Sequence, residues 1–123
     1  MKKLILLGVL ALAGCGVVQA QDLKRAKEEV ASRTRDPSSV QFRDVRFESQ
    51  VNGSKAVCGE MNAKNGYGGY VGFKNFAFKD GVLYLAETAE DIQAHTKYCV
   101  MGGRTKEQFY ADHADFMDRM NDH

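Results

Sequence analysis

The chain has 123 residues, with 17 Lys+Arg against 16 Asp+Glu and a formal net charge of +1. That length holds one domain at most. No lysine or arginine block stands out, which argues against nucleic acid as a partner, since such binding needs a concentrated basic footprint.

The first twenty residues read as an export signal. Lys2 and Lys3 form a positive start, and residues 4–12 make an apolar core too short for a permanent bilayer span. Two processing sites then compete. Leu12-Ala13-Gly14-Cys15 looks like a bacterial lipobox, which would leave Cys15 as a lipidated N-terminus. Val18-Gln19-Ala20 looks like an ordinary small-x-small site, which would start a mature chain at Gln21. The lipobox is the more specific motif and is favoured. Gly16 after the cysteine, in place of Asp, points by resemblance to known lipoproteins to the outer membrane. Without Lys2 and Lys3 the 17 basic residues fall to 15 against 16 acidic, a net charge of −1. Residues 21–123 are then expected to form a single domain.

Residues 22–35 read as the first helix, with Leu23, Ala26, Val30 and Thr34 on one stripe. Asp36-Pro37 stops it, because proline disfavours a helical residue before it. Residues 40–47 read as a strand whose apolar parity changes between Phe42 and Val45, which predicts a bulge near Arg43-Asp44. Asn52-Gly53 predicts a tight hairpin into a second strand over residues 55–64. There Val57, Met61 and Ala63 should face one way, and Cys58, Glu60, Asn62 and Lys64 the other. Residues 70–78 form the third expected strand, with a second parity change between Phe73 and Phe76. Asp80-Gly81 turns it into a fourth, residues 82–86. Thr88 with Asp91 would cap a short helix, although residues 87–97 read equally as loop. Gly102-Gly103 is a break. Thr105 with Gln108 forms a capping-box pattern that opens a helix over residues 106–121. Its stripe of Phe109, His113, Phe116, Met117 and Met120 should bury against the sheet. The expected fold is α+β: a two-layer arrangement of N-terminal helix, four-stranded antiparallel coiled sheet and C-terminal helix.

With Cys15 lipidated or removed, Cys58 and Cys99 remain. The plain reading is a structural bridge, permitted by an exported compartment and closing a loop of about 40 residues worth roughly 3–4 kcal/mol. A reactive thiol or a metal pair is the weaker alternative, since there is no CxxC and no histidine at ligand spacing. The glycine-rich loop of residues 65–70 lacks both GxxxxGK[ST] and GxGxxG spacing and lies between strands, so it is no phosphate cradle. It is either a flexible turn or a mount that holds Tyr67 and Tyr70 outward as contact residues. Glu60, Asn62 and Lys64 are most simply the wetted side of a sheet. Alternatively, a Cys58–Cys99 bridge would draw the segment of residues 95–103 across that face and leave Glu60 in a crevice with a raised pKa. His113 reads as a satisfied core or boundary residue. No EF-hand loop, HExxH or serine elbow occurs, so no catalytic, cofactor or metal residues are assigned.

Asp36-Pro37-Ser38-Ser39-Val40-Gln41-Phe42, then Val57-Cys58-Gly59-Glu60-Met61-Asn62-Ala63-Lys64-Asn65 and Gly68-Gly69-Tyr70-Val71-Gly72-Phe73, carry a resemblance. A later Tyr98-Cys99 fits it too. On these motifs the chain resembles a family of small exported proteins of proteobacteria and their prophages. The resemblance implies the bridge and the fold, and it implies no activity.

The functional expectation is therefore a non-enzymatic envelope protein, periplasmic and anchored through Cys15. It would bind a protein or peptide through its sheet and a surface of Glu60, Asn62, Lys64, Asn65, Tyr67 and Tyr70. An inhibitor of an envelope enzyme or a prophage protein that modifies the envelope would fit. One alternative is a small periplasmic enzyme or ligand-binding protein with a crevice around Glu60, Asn62 and Lys64; another is a purely structural, tethered spacer in an envelope complex. A concave pocket over the second strand would favour the crevice reading, and a filled or convex face with exposed tyrosines would favour the binding surface.

Overall fold

The computed structural model describes residues 14–122. The leader's charged start and apolar core, and with them the side chain of Cys15, lie outside the described residues. The first helix, α1 (Gly14–Ser32), presents Ala26 and Val30, both fully buried, one turn apart, with Leu23 packed beside them. Its polar side carries the i,i+4 pair Lys24–Glu28. The helix closes by tightening: the N–H groups of Arg33 and Thr34 donate to the Val30 and Ala31 carbonyls, three residues back. A single 3-10 turn, Pro37–Ser39, then redirects the chain into the sheet. Ser39 stabilises that turn by donating both its N–H and its hydroxyl to the Asp36 carbonyl.

Four strands follow: β1 (Gln41–Ser49), β2 (Lys55–Asn62), β3 (Lys74–Lys79) and β4 (Val82–Leu85). They form one antiparallel sheet in chain order. The turn chemistry is as expected. Gly53 has φ +85° at the first hairpin, and Asp80 and Gly81, at +51° and +79°, make the third. The β1–β2 register shifts between Arg43 and Arg46, where Asp44 takes φ +53°. The bulge lets Phe42, Val45 and Phe47 all face the helix side despite their change of parity.

The core lies between α1 and one face of the sheet, built from Val57, Met61, Phe76, Phe78, Leu83 and Leu85 with Ala26 and Val30. On the reverse face a smaller cluster joins Ala56, Cys58, Ala77 and Cys99, flanked by Tyr84 and Tyr98. It is supplied by α2 (Ala89–His95), which Thr88 caps through the Asp91 N–H, and by the π-helical turn Thr96–Val100 that continues it. Cys58 and Cys99 are disulfide-bonded, with Cα atoms 5.9 Å apart. The fold is thus the expected α+β sandwich of helix on antiparallel sheet, with the disulfide pinning a short helical segment to part of the other face.

Two expectations are corrected. The third strand begins at Lys74, not at residue 70, and the second parity change is no bulge. The Gly72 N–H bonds to the Asn62 side chain at φ +106°, leaving only an isolated Lys64–Tyr70 bridge ahead of the ladder. The C-terminal helix also differs. It is split into α3 (Lys106–Asp112) and α4 (Ala114–Asn121) at His113. The Thr105–Gln108 capping box is formed in full. Yet every side chain of residues 110–122 is exposed, with Phe116 at 58% and Met120 at 64%. His113 is accordingly neither core nor boundary: it is exposed, its Nδ1 2.8 Å from the Phe109 carbonyl oxygen. Among the described residues, no helix is long and apolar enough to cross a membrane.

Candidate functional site

The outer face of β2 is filled, not hollow. Register places Arg43 of β1 opposite Glu60, and its guanidinium donates twice to the carboxylate, at 2.9 Å from both Nε and Nη2. The Phe73 ring stacks on the same guanidinium at 3.9 Å, closing over the pair. Asn62, only 7% exposed, spends its Oδ1 on the Gly72 N–H. This corrects the crevice expectation. The hydrogen bonds from Arg43 hold the Glu60 carboxyl below the usual carboxylate range, outweighing the upward push of desolvation. The sign follows directly: a depressed carboxyl contributes stability above its unfolded-state value and loses it as pH falls through the folded one. An NMR titration should find Glu60 ionising below the ordinary Glu value of about 4.3, and Arg43→Met should return it toward that value. A Glu60 midpoint untouched by the substitution would break the assignment.

Beyond β2 the chain turns into the glycine-rich loop, whose conformation is held from within. Asn65 Oδ1 accepts from the N–H groups of Tyr67 and Gly69, and its own N–H donates to the Gly69 carbonyl. The loop is also tied to the end of α1 through the 3-10 turn. Ser39 accepts the Lys64 N–H on its hydroxyl at 3.0 Å and the Tyr70 hydroxyl on its carbonyl at 2.9 Å. Of the two candidate tyrosines, Tyr67 is fully exposed. Tyr70 is pinned by its hydroxyl and lies 5.7 Å from the Lys64 ammonium. Val71 and Phe73 extend the apolar surface at 58% and 36% exposure.

Lys64 separates from Glu60 and Asn62. It lines, with Asn65, Val71 and Gly72, a cavity of about 270 Å³. Met61, Ala63 and Leu85, all nearly buried, are its apolar lining, and Arg33 and Arg35 reach it from the chain just after α1. Lys74 and Glu87, paired at 2.6 Å, stand on the same cavity. Sequence reasoning missed Arg33, Arg35 and Ser39. The signal available was the Asp36-Pro37-Ser38-Ser39 turn, which brings the helix end onto the loop.

Among the described residues no group of three or more His, Cys, Asp or Glu is placed to hold a metal ion. No family model, curated protein or solved structure matches the chain.

Proposed function

We propose that the chain is a binding module of the cell envelope that recognises a protein partner through the loop of residues 65–73. The observation that carries this is the exposure of Tyr67, Tyr70, Val71 and Phe73 on a loop tied down through the Asn65 side chain, the Tyr70 hydroxyl and the Gly72 N–H. Exposed apolar side chains on a preformed mount bind with little ordering cost. The Glu60 carboxylate is taken up by a two-pronged bond from Arg43, whose guanidinium carries the Phe73 ring, which favours binding over catalysis there. Inhibition of an envelope enzyme, or a prophage-borne change to the envelope, are the roles such a module would serve.

Export belongs to the same reading. The leader supplies the address, Cys15 the lipid anchor, and the Cys58–Cys99 bridge is in keeping with an oxidising compartment. The mass of the mature chain tests the anchor; an unlipidated N-terminus at Gln21 would end that claim. A photo-crosslinking residue at Tyr67 tests the surface in living cells. A discrete adduct is expected there and not from the same probe at Glu29 on the outside of α1. Equal labelling at the two positions would remove the loop from consideration.

A further inference from the structure

We propose that the cavity beside the loop is an acidic-peptide subsite. It takes a segment of the partner in which a carboxylate adjoins an apolar side chain, and so rests on the reading of the loop as a protein-contact surface. The charge balance carries the argument. Four cations, Arg33, Arg35, Lys64 and Lys74, stand on this cavity against the single carboxylate of Glu87. Lys74 already holds that carboxylate at 2.6 Å. Among the described residues Arg33, Arg35 and Lys64 have no acidic partner within ion-pair distance. A chain of net charge +1 has therefore gathered a local positive excess around an apolar lining.

The end of α1 accounts for part of this, because its last carbonyls favour nearby cations. It does not account for Lys64, which follows the far end of β2. Nor does it account for the cations surrounding Met61, Ala63 and Leu85. An apolar group seated on those residues would bring an adjacent carboxylate under the guanidinium groups, where charge-assisted bonds are strongest. Arg35 is already held toward the loop, its Cδ 3.6 Å from where a Cβ on Gly66 would lie. Asn65, Val71 and Gly72 belong to the cavity wall and to the loop at once. A polypeptide crossing the exposed tyrosine side of the loop reaches the cavity directly, whereas a free anion or an acyl chain would engage the cavity alone.

The test titrates acetyl-Gly-Asp-Phe-Asp-Gly-amide into the isotopically labelled, disulfide-bonded chain and follows amide shifts. Shifts are expected at Thr34, Ala63, Gly72 and Leu85, with a dissociation constant of about 0.1–1 mM that weakens several-fold as salt is raised. The double variant R33E/R35E, both positions exposed, should keep the native amide spectrum and lose affinity at least tenfold. K64E, on the other wall, should weaken binding independently. The Lys-Phe-Lys counterpart should leave the spectrum unmoved. Equal binding of the two peptides, shifts elsewhere, or an undiminished R33E/R35E would each overturn the proposal, as would decanoate moving these amides where the peptide fails. The two readings fail separately. A Tyr67 adduct that persists undiminished in R33E/R35E overturns the acidic subsite and leaves the loop surface standing. Peptide binding at the cavity with no Tyr67 adduct supports the subsite and removes the loop.

Discussion

Replacing Cys58 and Cys99 together by alanine should lower the unfolding free energy by about 3–4 kcal/mol, the chain-entropy value for the 41-residue separation they close. For a domain of this size that corresponds to a fall in Tm of roughly 15–25 °C. The loss should not be uniform. The π turn rests on the reverse face through the small cluster of Ala56, Cys58, Ala77 and Cys99. The turn and the residues just after it have three other ties: the Tyr98 ring lies 5.8 Å from that of Tyr84, Gln50 Nε2 donates to the Tyr98 carbonyl at 2.9 Å, and the Val51 N–H donates to the Gly102 carbonyl at 2.8 Å. With the bridge gone, this segment should open before the sheet does. Hydrogen exchange should show amides of residues 98–104 losing protection first, while the β2–β3 ladder keeps most of its own. Denaturant melts of the oxidised chain and the double variant measure the global term. A Tm difference under about 5 °C would mean that packing, not the bridge, holds the segment down.

What was legible in the sequence was what is decided locally. Asn52-Gly53 and Asp80-Gly81 specify their turns because each needs positive φ within two residues. Thr88 and Thr105 cap helices through donors only three residues away. The Asp44 bulge was legible because apolar parity reports it within a single strand. The site was less legible because it is assembled from distant pieces. Arg33 and Arg35 meet Lys64 only after the Pro37–Ser39 turn folds the helix end onto the end of β2. The ion pair of Glu60 is invisible to either reading of that residue, wetted face or crevice, because its neighbour across the sheet is Arg43 only in the register after the bulge. The stripe on the last helix has the right period, but among the described residues nothing covers Phe116, Met117 or Met120. Periodicity identifies which face of a helix is apolar and carries no information about a partner surface. Part of the reverse face of the sheet is already occupied by the segment that Cys99 fastens.

Phe76→Ala should cost about 3–5 kcal/mol, the range for emptying a large, wholly buried aromatic site. The ring lies edge-on to Phe42, with centroids 6.1 Å apart and planes at 79°. On the neighbouring strand it lies over Gly59, its register partner. A Cβ built on Gly59 would come within 3.1 Å of two Phe76 ring atoms and 3.0 Å of Val45 Cγ2. Gly59 is therefore the empty half of a lock in which Phe76 is the filled half. Gly59→Val alone should be destabilising by about 1–3 kcal/mol through overpacking. In the double variant F76A/G59V, the valine enters space that the ring has left, and the two losses should sum to less than their separate values by roughly 1–2 kcal/mol. Denaturant midpoints of the four proteins at constant m-value give that coupling directly. Strict additivity would show that the glycine is needed for some reason other than the ring. The lock also reaches the candidate site. Leu85, across the β3–β4 pair from Phe76, belongs to the apolar lining of the cavity, as does Met61 two residues beyond Gly59. Loosening this pair should therefore weaken acidic-peptide binding in step with stability, while R33E/R35E weakens binding and leaves the denaturant midpoint nearly unchanged.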